Sequence, residues 1–295
     1  MTHDEAPARA SVPHGRARPA ETAAPANADR SLRATVWPLW CAELVGTALL
    51  VAVGCSIVIV NFGTGSPVAR LLPSAAARRL LTGFLFGATG ALIALSPVGK
   101  VSGAHINPVV TLAFWLIRRL KTRVALGYVV AQLAGGVLGA VALRAWGLMG
   151  ASVTYAATVP GPAGPWPAAF GEAAATFCLV AGLFLFLGHA RLRAFTPALF
   201  PFLFAVLVWL EAPLSGTSTN PARSLGPGLV AGAMSTWWVY WLGPLVGTLA
   251  GVAIQRAPWM RSFEIRVAKV FHFHHDRYGV FHGAAAVTGP RVERG

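Results

Sequence analysis

Two stretches of this 295-residue chain combine residue types and spacing that can do chemistry. Ser102-Gly103-Ala104-His105-Ile106-Asn107-Pro108-Val109 and Ser215-Gly216-Thr217-Ser218-Thr219-Asn220-Pro221-Ala222-Arg223 share the pattern Ser-Gly-x-x-x-Asn-Pro. Proline suits the first turn of a helix, because its missing N–H would be unpaired there anyway. An asparagine ahead of it can cap the orphan backbone donors of that turn. Each stretch therefore reads as a non-helical approach followed by a short helix, over about 108–117 and 221–232. A helix N-terminus carries about half a unit of positive charge. Two such ends meeting would repel cations, while the Asn107 and Asn220 amides offer donors to a solute. Gly103, Ala104, His105, Gly216, Ser218 and Thr219 precede them as candidate pore-lining backbone with carbonyl acceptors. Asn107, Pro108, Val109, Asn220, Pro221 and Ala222 form the candidate midplane. Donors and acceptors on apolar walls suit small neutral polar solutes and oppose ions and protons.

The acidic residues narrow the chemistry further. Only Glu43, Glu172 and Glu211, of ten, lie between Trp37 and Gln255. Glu43 and Glu172 sit in matching frames, Glu-x-x-x-Thr-x-x-Leu-Val. A buried carboxylate can accept hydrogen bonds from a non-helical loop, so both are expected to brace the loops of their own repeat. The competing role is a proton or cation site. Glu211 is expected to reach the membrane interface. Cys41, Cys55 and Cys178 lie in apolar runs without metal or disulfide spacing. His272, His274 and His275 lack partners for a convincing ligand set, so no metal or cofactor is expected.

These residues need a scaffold, and composition names its class. Hydrophobic residues make up 55% of the chain and charged residues 12%, with a net charge of +14. Mean hydropathy is +0.61. An ordinary soluble domain carries about 25% charged residues. The chain is therefore read as a polytopic helical membrane protein, too apolar for nucleic-acid binding. Six apolar segments near the ~20 residues needed to span a bilayer run at about 38–60, 81–98, 124–146, 168–189, 195–213 and 236–255. The two Asn-Pro segments are too short to span and read as half-helices. Non-helical backbone at membrane depth must be buried or line a watery cavity. The shared frames define an internal repeat, about 36–146 and 167–256, inside a channel domain at 36–256. Three spans separate equivalent positions, so the second half is inverted, and its shared site falls near the midplane. Residues 1–35 read as a disordered tail, and 257–295 as a basic tail lying on anionic lipid. Lys/Arg-rich loops at 118–123 and 191–193 place both termini in the cytosol, although Arg70, Arg78 and Arg79 then face outside.

The paired boxes, the paired glutamates and Arg223 resemble the major intrinsic proteins, the aquaporin and aquaglyceroporin channels, over about 37–255. The first box has Val109 where that family usually has Ala. The resemblance implies an all-α membrane fold of six spans and two re-entrant half-helices, one pore per subunit, a homotetramer and passive conduction without catalysis. It also implies a four-residue constriction, which maps to Gly87, Val208, Thr217 and Arg223 if no gap intervenes. The small-residue filter and Asn220-Pro221-Ala222-Arg223-Ser224 look most like the nodulin-like intrinsic proteins and their bacterial relatives. That branch is associated with arsenous, boric and silicic acids, polyols and urea. An ordinary water channel in the cell membrane is the alternative, and a secondary transporter is the competing class.

Overall fold

The computed structural model describes residues 36–260 and 263–281. The expected N-terminal tail and the residues after 281 lie outside these. The fold is all-helical. Its principal helices are α1 (Trp37–Phe62), α2 (Ala75–Leu95), α3 (Pro97–Ser102), α4 (Pro108–Leu116), α5 (Thr122–Ala142), α6 (Pro165–Gly188), α7 (Thr196–Ser215), α8 (Pro221–Ala231) and α9 (Val239–Gln255). Five helical stretches are long and apolar enough to cross a membrane, and α9 is a shorter apolar helix of 17 residues. The two Asn-Pro segments form α4 and α8, starting at the expected prolines.

The second expected span differs at its end. Ser96 precedes Pro97, and the residue before a proline is pushed away from helical backbone. Ser96 takes φ −73°, ψ 171°, and α2 stops at Leu95. The Ser96 hydroxyl then accepts the Val98 N–H at 3.1 Å and starts α3. This helical turn inside the first repeat has no counterpart in the expected spans.

Glycine decides how closely the helices approach. Gly135 and Gly139 of α5 lie against the Leu44 and Ala48 carbonyls of α1, and Gly243 and Gly247 of α9 lie against those of Ala169 and Ala173 in α6. The two repeats thus use the same small-residue seam, the kind that drives helix association in lipid. The half-helices cross over. The second, α8, packs on α5 of the first repeat, and α4 packs on α9 of the second. Gly136 and Gly226 bring α5 and α8 into backbone contact.

The basic loops and the C-terminal segment gather at one end of the molecule. Arg119 pairs with Glu264 at 3.8 Å, Arg193 stands over the Phe273 ring at 6.0 Å, and Arg256 donates to the Leu116 carbonyl. Part of the expected lipid-lying tail packs on the protein itself. Residues 263–281 fold onto the helical body, burying Ile265, Ala268, Lys269, Val270, Val280 and Phe281. Apolar residues interleaved with the basic ones carry this packing, and net charge alone concealed them.

The glycine seams give a paired expectation. Gly247→Val in α9 collides with the Ala173 backbone and should destabilise the protein by about 2 kcal/mol or more. Gly182→Ala in α6, with its nearest neighbour 3.5 Å from the added carbon, should leave thermal unfolding in detergent almost unchanged.

Candidate functional site

The two non-helical loops meet where the half-helices begin. Asn107 accepts the Val109 N–H on Oδ1 at 3.0 Å, capping α4. Its Nδ2 donates to the Thr219 carbonyl at 2.8 Å. Asn220 repeats this arrangement. Its Oδ1 accepts the Ala222 N–H at 3.0 Å, and its Nδ2 donates to the Ile106 carbonyl at 2.9 Å. Each asparagine is therefore clamped to the loop of the other repeat. An amide group has two N–H donors, so each Nδ2 keeps a second donor beyond the clamp. Both asparagines line a cavity of about 60 Å³, together with Ala104, His105, Ile106, Ser218 and Thr219. Pro108, Val109, Pro221 and Ala222 are buried at the helix starts.

The loops adopt a strained backbone at equivalent places. Gly103, Ala104 and Ile106 have φ of 88°, 53° and 42°, and Gly216, Thr217 and Thr219 have 84°, 54° and 51°. Left-handed backbone at a β-branched residue costs about 1–3 kcal/mol and persists only when its surroundings enforce it. The glutamates supply that enforcement. Glu43 accepts the N–H groups of His105 at 3.0 Å and Ile106 at 2.6 Å, with Gln132 at 2.7 Å. Glu172 accepts those of Ser218 at 2.6 Å and Thr219 at 2.7 Å, with the Ser215 hydroxyl at 2.6 Å. Both carboxylates are fully buried.

A wider cavity of about 290 Å³ opens at the other end, lined by Arg79, Thr158, Val208, Gly216 and Arg223. Arg223 is buried and donates from Nη1 to the Ala156 carbonyl at 2.8 Å. Its guanidinium is thus anchored on a backbone carbonyl. Arg79 adds a second positive side chain to this cavity. Thr217 is buried on the same loop, with its N–H held by Ser215 Oγ at 3.0 Å.

Gly87 lines the 60 Å³ cavity beside Phe86 and also packs closely on α7. A Cβ on Gly87 would run into the Phe200 carbonyl, and one on Gly83 into that of Phe204. Both glycines form the seam between α2 and α7. The side chain beside the guanidinium is Phe86, whose ring centroid lies 5.7 Å from Arg223 Cζ and 6.2 Å from the Phe204 ring. The spacing Gly83-x-x-x-Gly87 was the available signal for that seam, since paired small residues mark a helix contact. Glu211 is corrected. It is buried beside Gly171 of α6 and does not reach outward. The Ala156 carbonyl had no signal in the sequence, because any residue supplies one.

His105 is placed by three contacts. Its ring stacks on Phe114 at 4.7 Å. Nε2 lies 3.0 Å from the Ala268 carbonyl, and Nδ1 lies 3.2 Å from Thr111 Oγ1. A carbonyl can only accept, so Nε2 carries the proton and Nδ1 accepts from Thr111.

Comparison with known proteins follows the same lines. The sequence profile described as "Major intrinsic protein" matches residues 31–255. Aquaporin-8 of Mus musculus is 35% identical over 225 residues, covering 72% of this chain and 79% of that protein. Nodulin-26 of Glycine max is 34% identical over 214 residues, covering 71% and 70%. The solved aquaglyceroporin from Plasmodium falciparum shares the fold, with a TM-score of 0.60 at 20% identity over 75% of this chain and 96% of that one.

The bracing carboxylates can be tested directly. Glu172→Leu leaves the buried Ser218 and Thr219 N–H groups unpaired, at about 1–3 kcal/mol each. Thermal unfolding in detergent should show a large loss for Glu172→Leu and a smaller one for Glu172→Gln, which keeps an acceptor oxygen.

Proposed function

Because this chain belongs to the major intrinsic protein family, we propose that it is a passive, multi-pass membrane channel for small uncharged solutes of about glycerol size. Glycerol, urea and the neutral hydroxides of arsenic, boron and silicon are the candidate solutes, with water passing alongside them. The observation that carries this reading is the two-sided lining around Arg223. One side is polar, with Arg223 and, by position, Thr217. The other is apolar, with Phe86 and Val208. A solute with hydroxyls on one face and carbon or a metalloid at its centre matches both. Arg223, Arg79 and the paired half-helix ends oppose cations and protons. Both termini are assigned to the cytosol on the Lys/Arg loops, and the assembly to a homotetramer on family resemblance. Catalysis forms no part of the proposal.

An ordinary water channel is the second reading, and Phe86 favours it. The ring stands beside Gly87 in the cavity wall and 5.7 Å from the Arg223 guanidinium, and it adds aromatic bulk there. What separates the readings is Val208, which is smaller than a histidine and donates no hydrogen bond.

Stopped-flow light scattering on liposomes containing the protein decides between them. Glycerol and boric acid should re-swell the vesicles. Val208→His should slow that re-swelling by about tenfold, a barrier increase of about 1.4 kcal/mol, while water shrinkage persists. Shrinkage without re-swelling in the wild type would make this a water channel. Arg223→Val should admit small cations, read as a collapse of an imposed ion gradient.

A further inference from the structure

The C-terminal segment occupies the end of the pore opposite Arg223. Val270 forms part of the wall of the 60 Å³ cavity, alongside His105, Asn107 and Phe200. Its N–H donates to the Gly103 carbonyl at 3.0 Å, an acceptor that the sequence assigns to passing solutes. The Ala268 carbonyl takes the His105 Nε2 proton at 3.0 Å. Lys269 between them is fully buried, and its ammonium donates to the Lys100 and His275 carbonyls, both at 2.6 Å. It also faces the Phe281 ring at 4.6 Å. The segment is tied into a closed turn. The Ala268 N–H donates to the Phe281 carbonyl at 3.0 Å, and the Asp276 carboxylate accepts the N–H groups of Val280 and Phe281 at 3.1 and 3.2 Å. His272 adds a hydrogen bond to the Leu95 carbonyl at 3.0 Å.

We propose that residues 263–281 are a built-in plug, docked in the pore mouth through Ala268, Lys269 and Val270, and that conduction requires the segment to leave. The Val270 side chain stands where a solute would exit, and the acceptor it would use is already paired. A polar solute that passes an isopropyl group in this wall, beside an acceptor already paired, loses hydrogen bonds there. The plug is held without covalent bonds, by the burial of Ile265, Val270, Val280 and Phe281, one buried ammonium and a few hydrogen bonds. Burial brings the Lys269 ammonium down to about 8, with Asp276 opposing and Lys100 reinforcing the shift. Docking therefore works against the charged form, and release restores its hydration.

The test rests on the channel reading but not on the choice of solute, because a plug limits water as well. Full-length protein would be compared with Lys269→Glu, Val270→Asp and Phe281→Ser in liposomes. The last lies at the far end of the segment and leaves the pore wall intact. Hydrogen exchange at the Val270 amide reads docking on the Gly103 carbonyl directly, and at the Ala268 amide reads the closed turn that docks. The wild type should protect both amides. The variants should lose that protection and raise osmotic water permeability by about tenfold or more, since a misplaced buried charge in the first two and lost apolar burial in Phe281→Ser disfavour the docked state. Rapid exchange at both amides in the wild type would overturn the plug. So would lost protection in Phe281→Ser with unchanged water flow. Failure of glycerol and boric acid to re-swell any of these vesicles would count against the proposed solutes alone.

Discussion

Two buried carboxylates hold together the part of this protein on which the rest depends. A chain that turns left-handed at Ile106, Thr217 and Thr219 does so against the preference of β-branched residues. Each glutamate takes two consecutive loop N–H groups, so the strained backbone is also the fully hydrogen-bonded one. With these donors turned to the carboxylates, the Ile106 and Thr219 carbonyls are left for the asparagine of the opposite repeat. The clamp between repeats follows from the brace within each.

The helices around this centre are arranged to make the meeting possible. Half-helices that start at midplane must approach closely, and a side chain between α5 and α8 would hold them apart. Gly136 and Gly226 remove it. The same device joins α1 to α5 and α6 to α9, and the repeat of the seam is the structural form of the repeat in sequence. Charge is then distributed by end. Arg79 and Arg223 line the wide mouth, while the other basic loops collect with the C-terminal segment.

The wall residues beside Arg223 show how far spacing alone can be followed. Gly87 faces the inner cavity as well as the α7 seam, and Phe86 beside it lines the same cavity and stands over the Arg223 guanidinium. One residue on a helix turns the side chain by about 100°, so which neighbour faces Arg223 depends on how the helix is rotated in its packing. Val208 and Arg223 line the outer cavity.

By itself the sequence determined the membrane class, the inverted repeat, the half-helix starts and the residues that brace and cap them. These depend on composition, helix capping and hydrogen-bonding capacity, which act over a few neighbouring residues. Tertiary structure decided which wall residue stands beside Arg223, which carbonyl anchors it, that Glu211 turns inward, and that Lys269 is buried at the pore mouth. Each of these depends on the direction of a side chain or the approach of a distant segment. A carbonyl is common to every residue, and the apolar positions of a basic tail show their use only when a matching surface is present to cover them.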